Sequence, residues 1–283
     1  LELDVSSDST ALDYKLSGAG ISTAQINFES PLLKGRIANK TITAGLSSVD
    51  KEGNKKLQIL TALTKEKTNY LLKFDPEGFY LMNKRWEIAA DNAIEIGKSG
   101  FMIHHLFTNN GNSQVNIASV NNKMNDDVNI NIKNFKLEDL SQIIEKDSSL
   151  LKGDVNGNVL LKRVNNAYGI IADAGIDNLY LFNKPIGNLT LNAQNPTARR
   201  FDLLATLSGA DNQLNAKGFF VPNGGENSLN INADIQSLSM KTVEAFSMGQ
   251  ISEASGFVNG NFSITGSTTV PEIKGALTFN NAF

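Results

Sequence analysis

The stretch Leu229-Asn230-Ile231-Asn232-Ala233-Asp234-Ile235 alternates apolar and polar side chains without interruption. Because successive side chains of a β-strand point to opposite faces, this pattern predicts a strand with one apolar and one polar face. The same alternation recurs along the chain, as at Leu57/Ile59, Val128/Ile130/Ile132, Leu189/Leu191/Ala193 and Phe201/Leu203/Ala205/Leu207. Turn-forming sequences such as Asn109-Asn110-Gly111-Asn112 separate the alternating runs. We therefore predict an all-β fold of roughly twenty short, mostly antiparallel strands.

The composition argues against several classes of function. The 283 residues carry 26 Lys and Arg against 29 Asp and Glu, a net charge of -3, so the chain lacks the positive field of a nucleic-acid-binding protein. There is no Cys, and the two His residues, His104 and His105, are adjacent. Neighbouring side chains of a strand point to opposite faces and cannot share one ion. We therefore expect no enzymatic activity, no catalytic residues, no metal site, no cofactor and no nucleic-acid partner.

Two segments, near residues 137–145 and 238–247, depart from the alternation. In the first, Leu137, Leu140 and Ile143 recur at helical spacing, and the second has a similar pattern. Each segment predicts a short helix of two or three turns. Two such helices are too small to cover the apolar face of the predicted sheet.

An internal repeat relates the two helical segments. Residues 128–131 match residues 229–232 at an offset of 101, and residues 153–158 match residues 256–261 at an offset of 103. Because the apolar positions stay in phase after each helix, the repeat preserves the same face of the sheet. The predicted organisation is a β-groove segment over 1–127, a repeat over 128–228 and a second, truncated copy over 229–283.

The chain shows no membrane-spanning pattern, because none of its apolar runs reaches the length of about 18 residues that such a helix needs. It has no initiating Met and no charged-then-apolar leader. We therefore expect a segment of a longer protein that does not itself span a membrane.

A sheet that is curved along its length and apolar on one face would form a trough with polar outer walls. Aromatic residues make up only 7% of the chain, and this scarcity, together with the limited helical cover, favours an open trough over a closed sandwich core. Such a trough suits acyl chains, since burying each CH₂ is worth about 0.8 kcal/mol. Its predicted lining is Ile130, Ile132, Val155, Val159, Leu161, Leu189, Leu191, Leu203, Leu229, Ile231, Val258, Phe262, Ile264 and Leu277. Four polar neighbours are expected to face water instead, namely Asn129, Asn131, Asn230 and Asn232.

A family resemblance is carried by residues 255–266 and 270–279. They read Gly-x-apolar-x-Gly-x-apolar-x-apolar-x-Gly and then Pro-x-apolar-x-Gly, which resembles the signature of the TamB/AsmA-like proteins. The stretches that are similar to the Bacteroidota version of TamB are 86–96, 111–117 and 133–140. The first repeat departs from the signature, because residues 162–168 lack the Gly and Pro found at Gly266 and Pro271. The resemblance extends over residues 80–283. Residues 1–80 are similar to the family only in the general character of their sequence.

The resemblance implies a periplasmic bridge segment in a Gram-negative bacterium that carries phospholipids from the inner to the outer membrane. It implies a full-length protein anchored in the inner membrane and a partner that is an outer-membrane β-barrel protein of the TamA type. The phospholipid acyl chains would be the bound ligand. Two alternatives remain open: a scaffold for outer-membrane β-barrel assembly that offers its sheet edges to client strands, and a structural β-repeat stalk with a closed core.

Overall fold

A computed structural model describes residues 1–22, 27–144, 150–164, 167–197, 199–222 and 227–281. The chain divides into two compact units, Leu1–Ser149 (unit 1) and Leu150–Phe283 (unit 2). The predicted fold class, all-β with a curved, open antiparallel sheet and two short helices, is confirmed. The predicted repeat boundaries at 127/128 and 228/229 do not coincide with the unit boundary after Ser149, and the division into repeats stays a prediction.

Unit 1 contains fifteen strands and one helix among its described residues. The strands are β1 (Glu2–Ser7), β2 (Ala11–Ser17), β3 (Gly20–Ser22), β4 (Asn27–Glu29), β5 (Leu32–Ala38), β6 (Thr41–Val49), β7 (Lys55–Glu66), β8 (Asn69–Phe74), β9 (Phe79–Leu81), β10 (Lys84–Ile88), β11 (Ile94–Gly97), β12 (Gly100–Ile103), β13 (Leu106–Asn110), β14 (Ser113–Ser119) and β15 (Val128–Lys136). The helix is α1 (Glu138–Ile144).

The sheet of unit 1 divides at the long strand β7. Strands β1, β2, β5, β6 and β7 pair in that order, and β3 pairs separately with β4. Residues 61–66 of β7 then pair with β8, which continues to β11 and β12. Leu57 and Gln58 of β7 pair instead with β9, which continues through β10, β13 and β14 to β15. The branch that begins at β9 carries the buried core around Trp86 of β10.

Trp86 lies at the centre of this core with 0% of its surface exposed. Its ring centroid lies 6.2 Å from that of Phe79 and 5.5 Å from that of Phe135. Leu81 and Val128 are also buried. An aromatic side chain of this size removes a large apolar area from water and dominates the stability of its surroundings.

Unit 2 is a simple meander in which each strand pairs with the next along the chain. Its strands are β16 (Leu151–Val164), β17 (Ala167–Leu181), β18 (Lys184–Thr197), β19 (Arg200–Gly209), β20 (Asn212–Val221), β21 (Ser228–Ser239), β22 (Phe257–Ser267) and β23 (Pro271–Asn280), and its helix is α2 (Met240–Phe246). The order strand, helix, strand, strand occurs twice in the chain, as β15-α1-β16-β17 and as β21-α2-β22-β23.

Strand register reproduces the sequence repeat. In β14–β15, Ile130 faces Ile117, and in β20–β21 the pair displaced by 101 residues, Ile231 and Gly218, face each other. In the same way, the β16–β17 partners Gly157 and Ala174 correspond, at an offset of 103, to the β22–β23 partners Gly260 and Leu277. The two copies therefore share hydrogen-bonding register as well as sequence.

Both helices lie close to their predicted positions. Helix α2 begins at Met240, two residues later than predicted, because Leu238 and Ser239 continue β21 and pair with Val258 and Phe257 of β22. In the described part of the chain no helix combines the length and hydropathy needed to cross a membrane.

Close approach of β20 and β21 makes Gly218 irreplaceable in this register. A Cβ at Gly218 would lie 2.0 Å from the Asn230 carbonyl oxygen, whereas one at Gly175 would meet only the Leu189 carbonyl oxygen at 3.5 Å. We expect Gly218→Ala to reduce the free energy of unfolding by about 1–3 kcal/mol, because a methyl group there forces two backbones apart. Gly175→Ala, in the same sheet, is the matched control and should change it by less than about 0.5 kcal/mol. Urea unfolding measures both, and equal stabilities would contradict this register.

Candidate functional site

The most distinctive surface of unit 2 is one apolar face that crosses all eight strands. Register places one residue of each strand in a row that runs perpendicular to the strands, and we call this the central row. Its members, from β16 to β23, are Gly157, Ala174, Leu191, Ala205, Ala216, Ala233, Phe262 and Gly275. Six of the eight are Gly or Ala, so most residues of the row have a very short side chain or none.

Two further rows of apolar residues, most of them with longer side chains, flank the central row on the same face. One consists of Val155, Ile176, Leu189, Leu207, Leu214, Ile235, Gly260 and Leu277. The other consists of Val159, Ala172, Ala193, Leu203, Gly218, Ile231, Ile264 and Ile273. All twenty-four positions of the three rows are apolar or Gly. On β19 and β21, Ala205 and Ala233 lie between Leu or Ile residues of both flanking rows, which makes this part of the central row a furrow, whereas Leu191 and Phe262 of the same row are large.

Exposure varies along this apolar face. Val258 and Ile235 are buried near α2, whereas Leu203 and Ile231 are only partly buried. On the edge strand β23, Ile273 is 67% exposed. The described residues therefore cover the face at the end beside α2 and leave the rest of it accessible.

The opposite face of unit 2 is polar. Asn158, Asp173 and Asn192 share a row that continues through Leu204, Lys217, Asn232, Ser263 and Lys274. A shallow depression of about 540 Å³ on this face is lined mainly by amide and charged side chains. Its chemistry suits water, and it does not belong to the apolar face.

The structure brings together twelve of the fourteen predicted groove residues. Val155, Val159, Leu161, Leu189, Leu191, Leu203, Leu229, Ile231, Val258, Phe262, Ile264 and Leu277 lie on the apolar face of unit 2. Ile130 and Ile132 belong to β15 in unit 1, where they face Ile117 and Val115. Asn230 and Asn232 lie on the polar face of unit 2, and Asn129 and Asn131 lie on the face of β15 opposite Ile130. Lipid binding by these residues stays a prediction.

The predicted groove lining leaves out the Gly and Ala residues of the central row, although Ala205 and Ala233 stand in alternating runs of the sequence. Alternation singles out the large apolar residues, and a small residue between them carries little hydropathic signal. Ala205 and Ala233 are recognisable as members of one row only when the register of β19, β20 and β21 is known.

Helix α2 closes one end of the apolar face. Met240 and Val243 pack with Leu238, Ala254 and Val258 in one cluster. The helix also contacts β18. Because Val258 and Leu238 pair across β22 and β21 on the apolar face, the helix lies on that face.

A buried network of hydrogen bonds stabilises the end of the sheet beside α2. The Asn212 side chain donates to the Ile186 carbonyl oxygen (2.9 Å) and to Thr242 Oγ1 (2.8 Å), and it accepts from the Ser239 N–H (2.8 Å). Each polar group of a buried amide that finds a partner avoids a desolvation cost of about 1–3 kcal/mol. The network thus joins β18, β20 and β21 to α2.

An ion pair between Lys184 of β18 and Glu244 of α2 adds a charged contact. Glu244 also accepts a hydrogen bond from the Ala254 N–H at 3.2 Å. The side-chain hydrogen bond from Lys184, followed by the one from Ala254, lowers the pKa of Glu244 below its ordinary value.

The two His residues contact different acids. His105 Nδ1 lies 3.0 Å from Asp91 Oδ1, whereas His104 Nε2 lies 3.8 Å from Glu95 Oε2. Within the described ranges, no three His, Asp or Glu side chains converge in a way that could hold a metal ion.

Comparison with protein-family models, with curated proteins and with solved structures finds no significant match for this chain. The apolar face with its central row is therefore the feature of this chain that bears on its function.

The Glu244 ion pair predicts a pH dependence. Because the pKa of Glu244 is lowered on folding, its carboxylate stabilises the fold above the ordinary Glu pKa, and the contribution is lost as the pH falls through the folded-state pKa. We expect the free energy of unfolding to fall more steeply between about pH 5 and pH 3 in the wild type than in Glu244→Gln. Urea titrations at several pH values measure this, and identical slopes would show that the pair does not hold α2.

Proposed function

We propose that this chain is a non-catalytic, lipid-conducting segment of a periplasmic bridge protein. In this role it carries phospholipids from the inner to the outer membrane, with their acyl chains on its apolar face. The observation that carries the proposal is the central row, a line of mostly Gly and Ala residues between two rows that are apolar throughout. A linear hydrocarbon lying along this row would contact apolar side chains on both sides.

The apolar face can bind an acyl chain without holding it at one position. Burying an acyl chain is worth about 0.8 kcal/mol per CH₂, and every position of the three rows can contribute to it. The face has no charged or hydrogen-bonding side chain in those rows, so no single position is strongly preferred. Uniform, non-directional attraction is what movement of a lipid along a protein requires.

The dimensions also agree with this role. Neighbouring strands lie about 4.8 Å apart, so the eight strands of unit 2 extend about 34 Å across the strand direction. That length is close to the roughly 30 Å thickness of a bilayer's hydrocarbon core, which holds two acyl chains end to end. The polar face on the other side, with Asp173, Asn192 and Asn232, keeps the same strands compatible with water.

The identities of the two membranes and of the protein partner in this proposal are inferred from the resemblance to TamB/AsmA-like proteins. Under this proposal the full-length protein is anchored in the inner membrane and reaches an outer-membrane β-barrel partner of the TamA type. The glycine and proline pattern at residues 255–279 supports this assignment.

A second candidate function is a scaffold for the assembly of outer-membrane β-barrel proteins, and edge strand β23 favours it. All ten residues of β23 are exposed, and it pairs through one edge with β22. A strand edge that is not paired within the protein can accept a client strand by β-augmentation. A closed stalk is less favoured, because the described residues that cover the apolar face of unit 2 lie beside α2.

The lipid proposal predicts different effects for adjacent substitutions in β21. Ile231→Asp places a carboxylate beside the central row, where its desolvation against an acyl chain costs several kcal/mol. Asn230→Asp places the same charge on the polar face of the same strand. We expect the purified wild type and Asn230→Asp to retain phospholipid, and Ile231→Asp to retain less than about a tenth as much by lipid mass spectrometry.

Two further measurements make this comparison decisive. Ile231→Thr keeps the β-branched shape without a charge, so it separates loss of apolar surface from the effect of the carboxylate, and circular dichroism checks the fold of each variant. In the full-length protein, Ile231→Asp should impair lipid supply to the outer membrane. A wild type without lipid would contradict the proposal, and crosslinks from β23 to nascent barrel proteins would favour the scaffold.

A further inference from the structure

Unit 1 contains a depression of about 460 Å³ bordered by β5, β6, β7 and β8. Most of its lining is small or apolar, including Gly45, Leu60, Ala62 and Pro76. A cavity of this size with an apolar lining and few polar groups is typical of a site for a small organic ligand.

The floor of the depression depends on Gly45. This residue is buried and faces Leu60 across β6 and β7, and a Cβ at Gly45 would lie 2.8 Å from Leu60 Cδ2. The absence of a side chain at Gly45 leaves room for Leu60. Ala62, the next residue of β7 on the same face, is also short, so the floor remains low between β5 and β8.

Two lysines lie on opposite sides of this floor. Lys34 of β5 faces Gly45, and Lys73 of β8 faces Ala62, so register places both lysines on the face that carries Leu60 and Ala62. Both side chains are exposed, and both line the depression. Their ammonium groups can therefore approach a ligand from two sides.

These two lysines differ from the other basic residues of the same face. Lys15 Nζ lies 3.9 Å from Asp4 Oδ2, and Arg36 Nη1 lies 3.2 Å from Asp13 Oδ2. In the part of the chain that the structure describes, Lys34 and Lys73 have no carboxylate within ion-pair distance. The depression thus carries two lysine ammonium groups that form no ion pair among the described residues.

One carboxylate also lines the depression. Asp75 Oδ1 accepts a hydrogen bond from the Glu77 N–H at 2.8 Å, which holds the side chain in its turn. Its negative charge would disfavour a multiply charged anion but suits a ligand that carries an ammonium group beside its phosphate. Two ammonium groups, one carboxylate and an apolar floor match a zwitterionic headgroup.

We infer that this depression binds the headgroup of a zwitterionic phospholipid such as phosphatidylethanolamine. The phosphodiester lies between Lys34 and Lys73, the ligand's ammonium group lies toward Asp75, and the glycerol and first methylenes lie over Leu60 and Ala62. The inference rests on the proposed lipid function and adds to it the class of headgroup that is recognised.

The test uses the whole chain and short-chain lipids that dissolve as monomers. Affinities for dihexanoyl phosphatidylethanolamine and for dihexanoylglycerol, which lacks the phosphate, are measured by native mass spectrometry. We expect Lys34→Gln/Lys73→Gln to bind the phospholipid about tenfold more weakly and the diacylglycerol unchanged, because charge-assisted hydrogen bonds are lost. Lys51→Gln/Lys98→Gln removes the same charge from exposed positions outside the depression and should bind both lipids as the wild type does.

A third variant tests the ammonium contact. Asp75→Asn should weaken binding of phosphatidylethanolamine and leave binding of phosphatidylglycerol, whose headgroup has no ammonium group, unchanged or stronger. An equal loss for both lipids would overturn the placement of the ammonium group.

The remaining outcomes separate this inference from the proposed function. If Ile231→Asp loses long-chain lipid but Lys34→Gln/Lys73→Gln binds phosphatidylethanolamine like the wild type, the headgroup site is overturned and the lipid function stands. If inorganic phosphate displaces the phospholipid at equal concentration, the depression is a small-anion site and the headgroup assignment is overturned. If the wild type binds neither lipid and purifies without lipid, both the inference and the proposed function are overturned.

Discussion

Strand register is the constraint on which the surface of unit 2 depends. A slip of one residue between any two strands would move an entire set of side chains to the opposite face. The eight strands instead keep apolar residues opposite apolar residues, so that Val159, Leu203 and Ile231 share a row although they lie far apart in the chain. The apolar face is thus a property of seven consecutive pairings.

The register shifts of the sheet lie outside the interior of the three rows. One register shift, between Gln194 and Thr197, lies at the end of the strands far from α2. Others, between Ile176 and Leu179, between Gln213 and Leu214 and between Ile235 and Leu238, lie at the end beside α2. A bulge adds a residue to one strand and increases its bend and twist, so it is tolerated where rows of side chains end. There, α2 and the satisfied amide of Asn212 pack against the altered backbone. The interior of the three rows has regular pairing throughout.

The two units arrange the same kind of strand in different ways. Unit 1 divides its sheet at β7, buries Trp86 and contains a depression lined by Lys34, Lys73 and Asp75. Unit 2 keeps a plain meander, and most of its apolar face stays partly exposed. Unit 1 thus carries a small depression with charged rims, and unit 2 carries an extended apolar face.

The sequence by itself determined the local structure. Alternation at Leu229–Ile235 specified a strand and its two faces, because a strand's side-chain period is two, and helical spacing located α1 and α2 within two residues. Only the tertiary structure decided which residues face one another across strands, since pairing is non-local and leaves no periodic signal in the chain. It therefore brought Ala205 and Ala233 into one furrow, ended β21 at Ser239 and placed Lys34 and Lys73 on opposite sides of one depression. Twelve of the groove residues could be predicted because they are large and alternate, whereas the small residues between them acquire a role only from their neighbours in space.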